Sequence, residues 1–153
     1  MAITRADTFS VVKKKQEYFS DFLNSFALSP VGNQLARVTN EKSVNQSLKN
    51  LIMTNLGERL FQPSIGSNIV ASLFELNTPL ITNSLEFYIE NTIKNNEPRV
   101  NLIKVNVSTG SKEITILNRN INLNENYISI DIIYTLINNP EQISLNIILK
   151  RVR

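Results

Sequence analysis

Asn95-Asn96-Glu97-Pro98-Arg99-Val100-Asn101-Leu102-Ile103-Lys104-Val105-Asn106-Val107 is the stretch in which the chain changes its period. Before it, Ile81, Leu85, Tyr88, Ile89 and Ile93 recur at helical spacing and mark one buried stripe. After it, Ile103, Val105 and Val107 alternate with polar residues, the spacing of a half-buried strand. Pro98 forbids continuation of the helix and biases Glu97 toward an extended backbone. The corner therefore holds a carboxylate and an arginine on a rigid bend. Arginine's planar fork suits bidentate pairing with a carboxylate. Two readings stand open: an internal ion pair that fixes the corner, or a preorganised contact to another protein chain. A mixed outcome is expected, with Glu97 serving the corner and Arg99 reaching outward.

Upstream of this corner, Thr78-Pro79 predicts the start of the helix over 79–94, a capping hydroxyl followed by proline at the first helical position. Ile69, Val70, Leu73 and Phe74 predict a short helix over 67–75. Val44, Leu48, Leu51 and Ile52 repeat at i, i+4, i+7 and i+8, so 41–54 reads as an amphipathic helix capped by Asn40. Gly57 stands where a left-handed residue would close that helix. Pro63 and Gly66 shape the next loop. In Thr54-Asn55-Leu56-Gly57-Glu58-Arg59-Leu60-Phe61-Gln62-Pro63 a second helix end again sets a carboxylate beside an arginine.

Tyr18, Phe19, Phe22 and Phe26 are scattered before the turn cluster Ser29-Pro30-Val31-Gly32-Asn33. The segment over 18–40 reads as extended chain lying over a core. A helix over 16–28 is the alternative, because Phe19, Leu23 and Phe26 share a face. Residues 1–17 are polar and without period, and read as a flexible arm.

Downstream, Ser108-Thr109-Gly110-Ser111 is a turn, 113–117 a strand and 118–126 a polar loop containing Ile121 and Leu123. Ile128, Ile130, Ile132, Tyr134 and Leu136 alternate through a long strand. After the turn Asn138-Asn139-Pro140-Glu141, the residues Ile143, Leu145, Ile147 and Leu149 alternate again. The two runs predict a hairpin of 127–137 with 142–150. Ser144, Asn146 and Ile148 then face outward, as do Ile133 and Ile137 on the other strand. A strand with an unpaired edge is a template for another chain. The expected fold is α+β: a helical N-terminal half packed on an antiparallel sheet with a C-terminal β-hairpin, one domain over 18–153 after the arm at 1–17.

The chain of 153 residues fits one domain. It has no cysteine and no histidine, which removes disulfides, thiolate sites, the commonest general base and the commonest metal ligand. No apolar run approaches the roughly 20 residues that span a bilayer, so no membrane contact is expected. Met1-Ala2-Ile3-Thr4-Arg5 lacks the apolar block of a signal peptide, so assembly inside a cell is expected. The net charge of +3 gathers in Lys13-Lys14-Lys15 and Lys150-Arg151-Val152-Arg153. These are solvated ends, or arms that meet acidic partner surfaces. A nucleic-acid module would need a dense basic patch, and only these two ends argue for one.

Catalytic vocabulary is sparse. Nucleophilic triads lack a histidine, and Gly66 and Gly110 belong to no phosphate-binding pattern. A carboxylate pair remains conceivable, because Glu58, Glu75 and Glu97 all fall at helix ends. A sugar cleft is usually lined with aromatics, and here there is no tryptophan and only 4 tyrosines. No catalytic residue, metal or cofactor is expected. The alternative reading is a carboxylate-dependent, lysozyme-like cell-wall hydrolase.

Thr54-Asn55-Leu56-Gly57-Glu58-Arg59, Phe61-Gln62-Pro63-Ser64-Ile65-Gly66-Ser67, Leu73-Phe74-Glu75, Thr78-Pro79 and Glu97-Pro98-Arg99 together resemble the baseplate wedge family of contractile phage tails. That family includes the sheath initiator of T4-like phages and a baseplate component of type VI secretion systems. Tyr18-Phe19-Ser20-Asp21-Phe22-Leu23-Asn24-Ser25-Phe26 and Leu35-Ala36-Arg37-Val38-Thr39-Asn40 are similar to the family's leading segment. The likeness spans roughly residues 18–150, while the arm and the loop over 118–126 look longer than in a minimal member. The resemblance implies a non-enzymatic subunit between the wedges and the first sheath ring, in a virion assembled in the host cytoplasm. It implies that Glu97, Pro98 and Arg99 dock on the wedge core, and that Asn55, Gly57, Glu58 and Arg59 form a structural motif. It implies that the last strands, at Ile143, Ser144, Leu145, Asn146, Ile147 and Ile148, accept a sheath arm by strand addition. Other wedge proteins and the tail sheath protein are the implied partners, with the tail tube as a further candidate.

Overall fold

The computed structural model describes residues 16–30, 32–72, 79–109, 113–116, 119–122 and 127–150. In chain order the elements are β1 (Ser20–Phe22), β2 (Arg37–Thr39), α1 (Glu41–Met53), α2 (Ile69–Ser72), α3 (Pro79–Asn96), β3 (Val100–Thr109), β4 (Glu113–Ile116), β5 (Arg119–Asn122), β6 (Tyr127–Leu136) and β7 (Asn139–Lys150). The sequence expectation of α+β architecture holds. One antiparallel sheet of order β3-β6-β7 carries the core, and α1 and α3 supply the helical layer.

Period explains the packing. Val44, Leu48 and Ile52 of α1 and Leu85, Ile89 and Ile93 of α3 are all buried. They meet Ile128, Ile130, Ile132, Tyr134 and Leu136 of the central strand β6 in one cluster. Ile143, Ile147 and Leu149 of β7 complete it. The Tyr134 hydroxyl donates to Asn45 Oδ1 of α1 at 2.7 Å, so the one polar tip on this stripe is satisfied.

Several local expectations need correction. Tyr88 is exposed rather than part of the α3 stripe. It lies one residue before Ile89, about 100° around the helix, and its ring meets the exposed Phe87 edge-on. Ile103 is exposed because a β-bulge falls between Leu102 and Lys104. The extra residue resets the alternation, so Val100 and Leu102 face the core before it and Val105 and Val107 after it. The segment before α1 is extended, as β1 pairs antiparallel with β2 and Leu28 bridges Leu35, so the alternative helix over 16–28 does not form. Part of the expected loop over 118–126 is strand β5, paired with β4.

Asn40 occupies the N-cap position of α1 without capping it. Its side chain turns back instead, accepting from the Tyr18 and Phe19 amides at 2.8 and 3.3 Å and donating to the Gln16 carbonyl at 2.9 Å. The short helix α2 covers only part of the expected 67–75, and Leu73, Phe74, Glu75 and Thr78 lie outside the described residues. So do residues 1–15 and the basic residues 151–153.

Candidate interaction site

Where α3 turns into β3, the chain builds its one buried charge pair among the described residues. The Glu97 amide closes the last helical turn on Ile93, and Val100 then donates to the Glu97 carbonyl across Pro98. This short turn brings Arg99 back over Glu97. Nε donates to Glu97 Oε1 at 2.6 Å and an Nη to Oε2 at 2.7 Å. Ser47 of α1 donates its hydroxyl to the same Oε2 at 2.6 Å. Glu97 is only 4% exposed, and the Arg99 guanidinium lies over the Phe19 ring, 5.5 Å from its centroid. Burial pushes the Glu97 carboxyl up, but the hydrogen bonds from Arg99 and Ser47 and the arginine's charge outweigh it, leaving the pKa below the ordinary value.

The internal-pair reading therefore describes this geometry, and the expectation that Arg99 reaches outward is corrected. Its fork is spent on Glu97, and its side chain retains 30% exposure. Pro98 is exposed beside it. Sequence reasoning missed Ser47 and Phe19 as members of this site. No local pattern marked Ser47, whose contact with Glu97 joins residues 50 apart in the chain.

The loop after α1 is a closed ring. Helix α1 ends at Met53, with the Thr54 amide and hydroxyl both donating to the Asn50 carbonyl at 3.0 and 2.7 Å. Gly57 does have a left-handed φ of 83°, but it lies in the loop beyond that end and does not cap the helix. Its amide donates to the Pro63 carbonyl at 2.9 Å. Ser67 ties the ring shut: its amide donates to the Thr54 carbonyl at 2.8 Å and its hydroxyl to the Ile52 carbonyl at 2.5 Å. Gly66 permits that closure, since a Cβ there would stand 2.8 Å from the carbonyl oxygens of both Thr54 and Asn55.

Glu58 and Arg59 do not form the second ion pair that their adjacency suggested. The Glu58 carboxylate accepts the Asn55 amide at 2.9 Å, while Arg59 makes no ion pair among the described residues. The ring presents Leu60 and Phe61 at 82% and 99% exposure, Phe61 with a left-handed φ of 67°.

Among the described residues the sheet ends at β7. Ile143, Ile147 and Leu149 are buried and Leu145 is half-buried, while Ser144 and Asn146 are exposed and Ile148 half-buried. This is the inward and outward parity expected from the sequence. Asn146 donates to Ser129 Oγ at 3.1 Å and also reaches Asp131 Oδ1, bracing β7 on β6 across the outer face.

The acidic side chains of the loop and the corner are engaged in hydrogen bonds of their own. Among the described residues no cluster of acidic side chains could hold a metal ion. Glu75 lies outside them, and Glu58 is tied into its loop. A catalytic acid needs a raised carboxyl pKa, the opposite of what the Glu97 pairing produces.

Comparison with known proteins gives consistent results. A family model described as Baseplate wedge protein gp25 matches residues 38–141, the stretch that holds both the closed loop and the corner. Baseplate wedge protein gp25 of Enterobacteria phage T4 is 31% identical over 102 residues, covering 67% of this chain and 68% of that protein. Among solved structures, a chain of the anti-feeding prophage baseplate is similar with a TM-score of 0.61 at 24% identity, covering 80% of this chain and 89% of that one. A chain of the type VI secretion system baseplate complex gives 0.52 at 14% identity, with 73% and 93% covered. A putative tail lysozyme from Geobacter sulfurreducens gives 0.57 at 19% identity, with 74% and 92% covered. At these identities the structural likeness shows a shared fold.

Proposed function

The chain belongs to the baseplate wedge protein gp25 family, and we propose that it is a structural wedge subunit that links the wedge core to the first sheath ring and initiates sheath assembly in a contractile phage tail. The observation that carries the sheath contact is β7, a long strand with no partner on its outer side among the described residues. Such an edge offers main-chain donors and acceptors to an extended arm, and its parity offers alternate side-chain positions. Ile143, Ser144, Leu145, Asn146, Ile147 and Ile148 form the proposed acceptor stretch.

The wedge contact is assigned to the corner. Pro98 and the exposed rim of Arg99 offer a stiff surface whose shape is held from beneath by Glu97 and Ser47. The loop held by Asn55, Gly57 and Glu58, with Arg59 on its surface, is a structural motif. The domain runs over 18–153, with 1–17 as an arm. The partners are other wedge proteins, the sheath protein and the tail tube, in a virion assembled in the host cytoplasm. The name of the Geobacter neighbour describes that protein, and the ion-paired Glu97 offers its activity no support here.

The test is sheath nucleation on baseplates that carry edge variants. Deleting 142–153 would remove Ile143, Ile147 and Leu149 from the core, so single prolines serve better. Of two neighbours in a strand, one N–H joins the adjacent strand and the other faces the open side. Ser144→Pro and Leu145→Pro are therefore compared, and the variant that keeps its circular dichroism spectrum is the edge-facing one. That variant should enter baseplates and fail to seed sheath. Full-length sheath on such baseplates would overturn the β7 assignment.

A further inference from the structure

The two edges of the sheet are built differently. On the β3 side, Glu86 reaches down from α3 and its Oε1 accepts the Val107 amide at 2.8 Å. That amide belongs to β3 yet is not bonded into the ladder with β6, so it is a donor of the outer edge. The same strand is broken by the bulge at Leu102/Lys104 and shows the exposed Lys104 beside it. A bulge, a lysine and an occupied donor are the devices by which edge strands avoid pairing. On the β7 side, the one amide given to a side chain among the described residues is that of Glu141, which donates to Asn139 Oδ1 at the turn end of the strand; from Gln142 to Lys150 pairing with β6 runs without a bulge, and no charged residue lies between Glu141 and Lys150.

This asymmetry matters because an open β7 edge and an open β3 edge would complement each other. A copy placing β7 beside β3 of the next would make a head-to-tail interface, and such contacts propagate into filaments when they do not close. We propose that Glu86 closes the β3 edge, so that the chain takes up a strand at β7 alone and copies of it do not stack β7 on β3. This rests on the reading of β7 as an acceptor edge. Glu86 thereby fixes which side of the sheet is available to a partner and keeps the free subunit from consuming its own acceptor strand.

Sedimentation velocity over a concentration series tests this with purified full-length chain. Wild type should sediment as a monomer throughout. Glu86→Ala, which frees the Val107 donor, should self-associate as concentration rises. Glu86→Gln, whose amide oxygen still accepts, should stay monomeric. Adding the edge-facing β7 proline to Glu86→Ala should restore the monomer. A folded Glu86→Ala that remains monomeric at every concentration overturns the proposal. Amide exchange on the wild type supplies a readout that needs no variant: Val107 should be protected like its neighbours in β3, and rapid exchange there overturns the proposal too. Neither measurement involves sheath. Association of Glu86→Ala alongside normal sheath seeding by the β7 variant would reject the sheath contact and keep Glu86 as the edge guard; the reverse pair of results would do the opposite.

Discussion

Glu97 and Arg99, two residues apart across a proline, face each other through two parallel hydrogen bonds of 2.6 and 2.7 Å while the carboxylate lies in the core. The pair is local in sequence but not in effect. Ser47 joins it from α1 and Phe19 from the segment before β1, so one charge pair registers three parts of the chain.

Arg99→Ala should destabilise the folded chain by about 2–4 kcal/mol, because it leaves a buried carboxylate with Ser47 alone. The double variant Glu97→Gln/Arg99→Ala should lose less than the single one, since no unpaired charge is then buried. Arg99→Lys should recover only part of the loss, as an ammonium cannot match the fork. Urea unfolding midpoints of the four proteins check this ordering. A double variant less stable than Arg99→Ala would show that the charge is not the term that matters.

The pair also sets an acid dependence. Glu97 has a folded pKa below its ordinary value of 4.5, so its ionised form is favoured by folding. Its contribution is fully present above that ordinary value and is lost as pH falls below it, through the folded pKa. The stability difference between wild type and Glu97→Gln should therefore be constant near neutrality and shrink in acid below pH 4.5. Denaturant titrations at stepwise pH measure it, and a difference that grows on acidification contradicts the sign.

Two glycines of the closed loop should respond unequally to alanine. At Gly57 a Cβ meets nothing within 4 Å, so only the left-handed backbone is penalised, by roughly 1 kcal/mol. At Gly66 the added carbon would strike two backbone carbonyls as well. Gly66→Ala should thus cost at least twice as much, about 2 kcal/mol or more. Thermal melts of both variants decide it, and equal losses would remove the role assigned to the Gly66 contact.

Asn40→Ala should release the chain before β1 while leaving α1 formed. It removes three hydrogen bonds to the backbone at Gln16, Tyr18 and Phe19, worth roughly 1–2 kcal/mol together where partly exposed. Amide exchange should quicken at Tyr18 and Phe19 and stay unchanged at Leu48 and Ile52. Quickened exchange throughout α1 would mean that Asn40 matters as a helix cap after all.

The elements that were legible in the sequence are those whose burial follows a single period. Leu85, Ile89 and Ile93 marked α3, and Ile128 through Leu136 marked β6, because each faces one continuous core. Ile103 misled because a bulge depends on the partner strand's register, which no local pattern records. Asn40 misled because capping and tethering use the same side-chain oxygen, and the competing amides lie some twenty residues away. At the corner, Glu97 and Arg99 stood out by their residue types and the intervening proline. Ser47 did not, as its role exists only once α1 lies against that corner. Glu58 and Arg59 looked like a pair by adjacency, yet neighbours on a loop point apart unless a turn folds them together.

The strand order β3-β6-β7 puts two strands made after α1, α3 and β3 at the centre and one edge of the sheet. During synthesis α1 and α3 are made before β6 can give them a face, and the hydrogen bond from Tyr134 to Asn45 joins residues 89 apart in the chain. The emerging helices must therefore wait, with Val44, Leu48, Leu85 and Ile89 uncovered, until β6 has been made. Synonymous codons that slow the ribosome between 100 and 127 would lengthen that exposure, and a chaperone would have its longest opportunity to bind there.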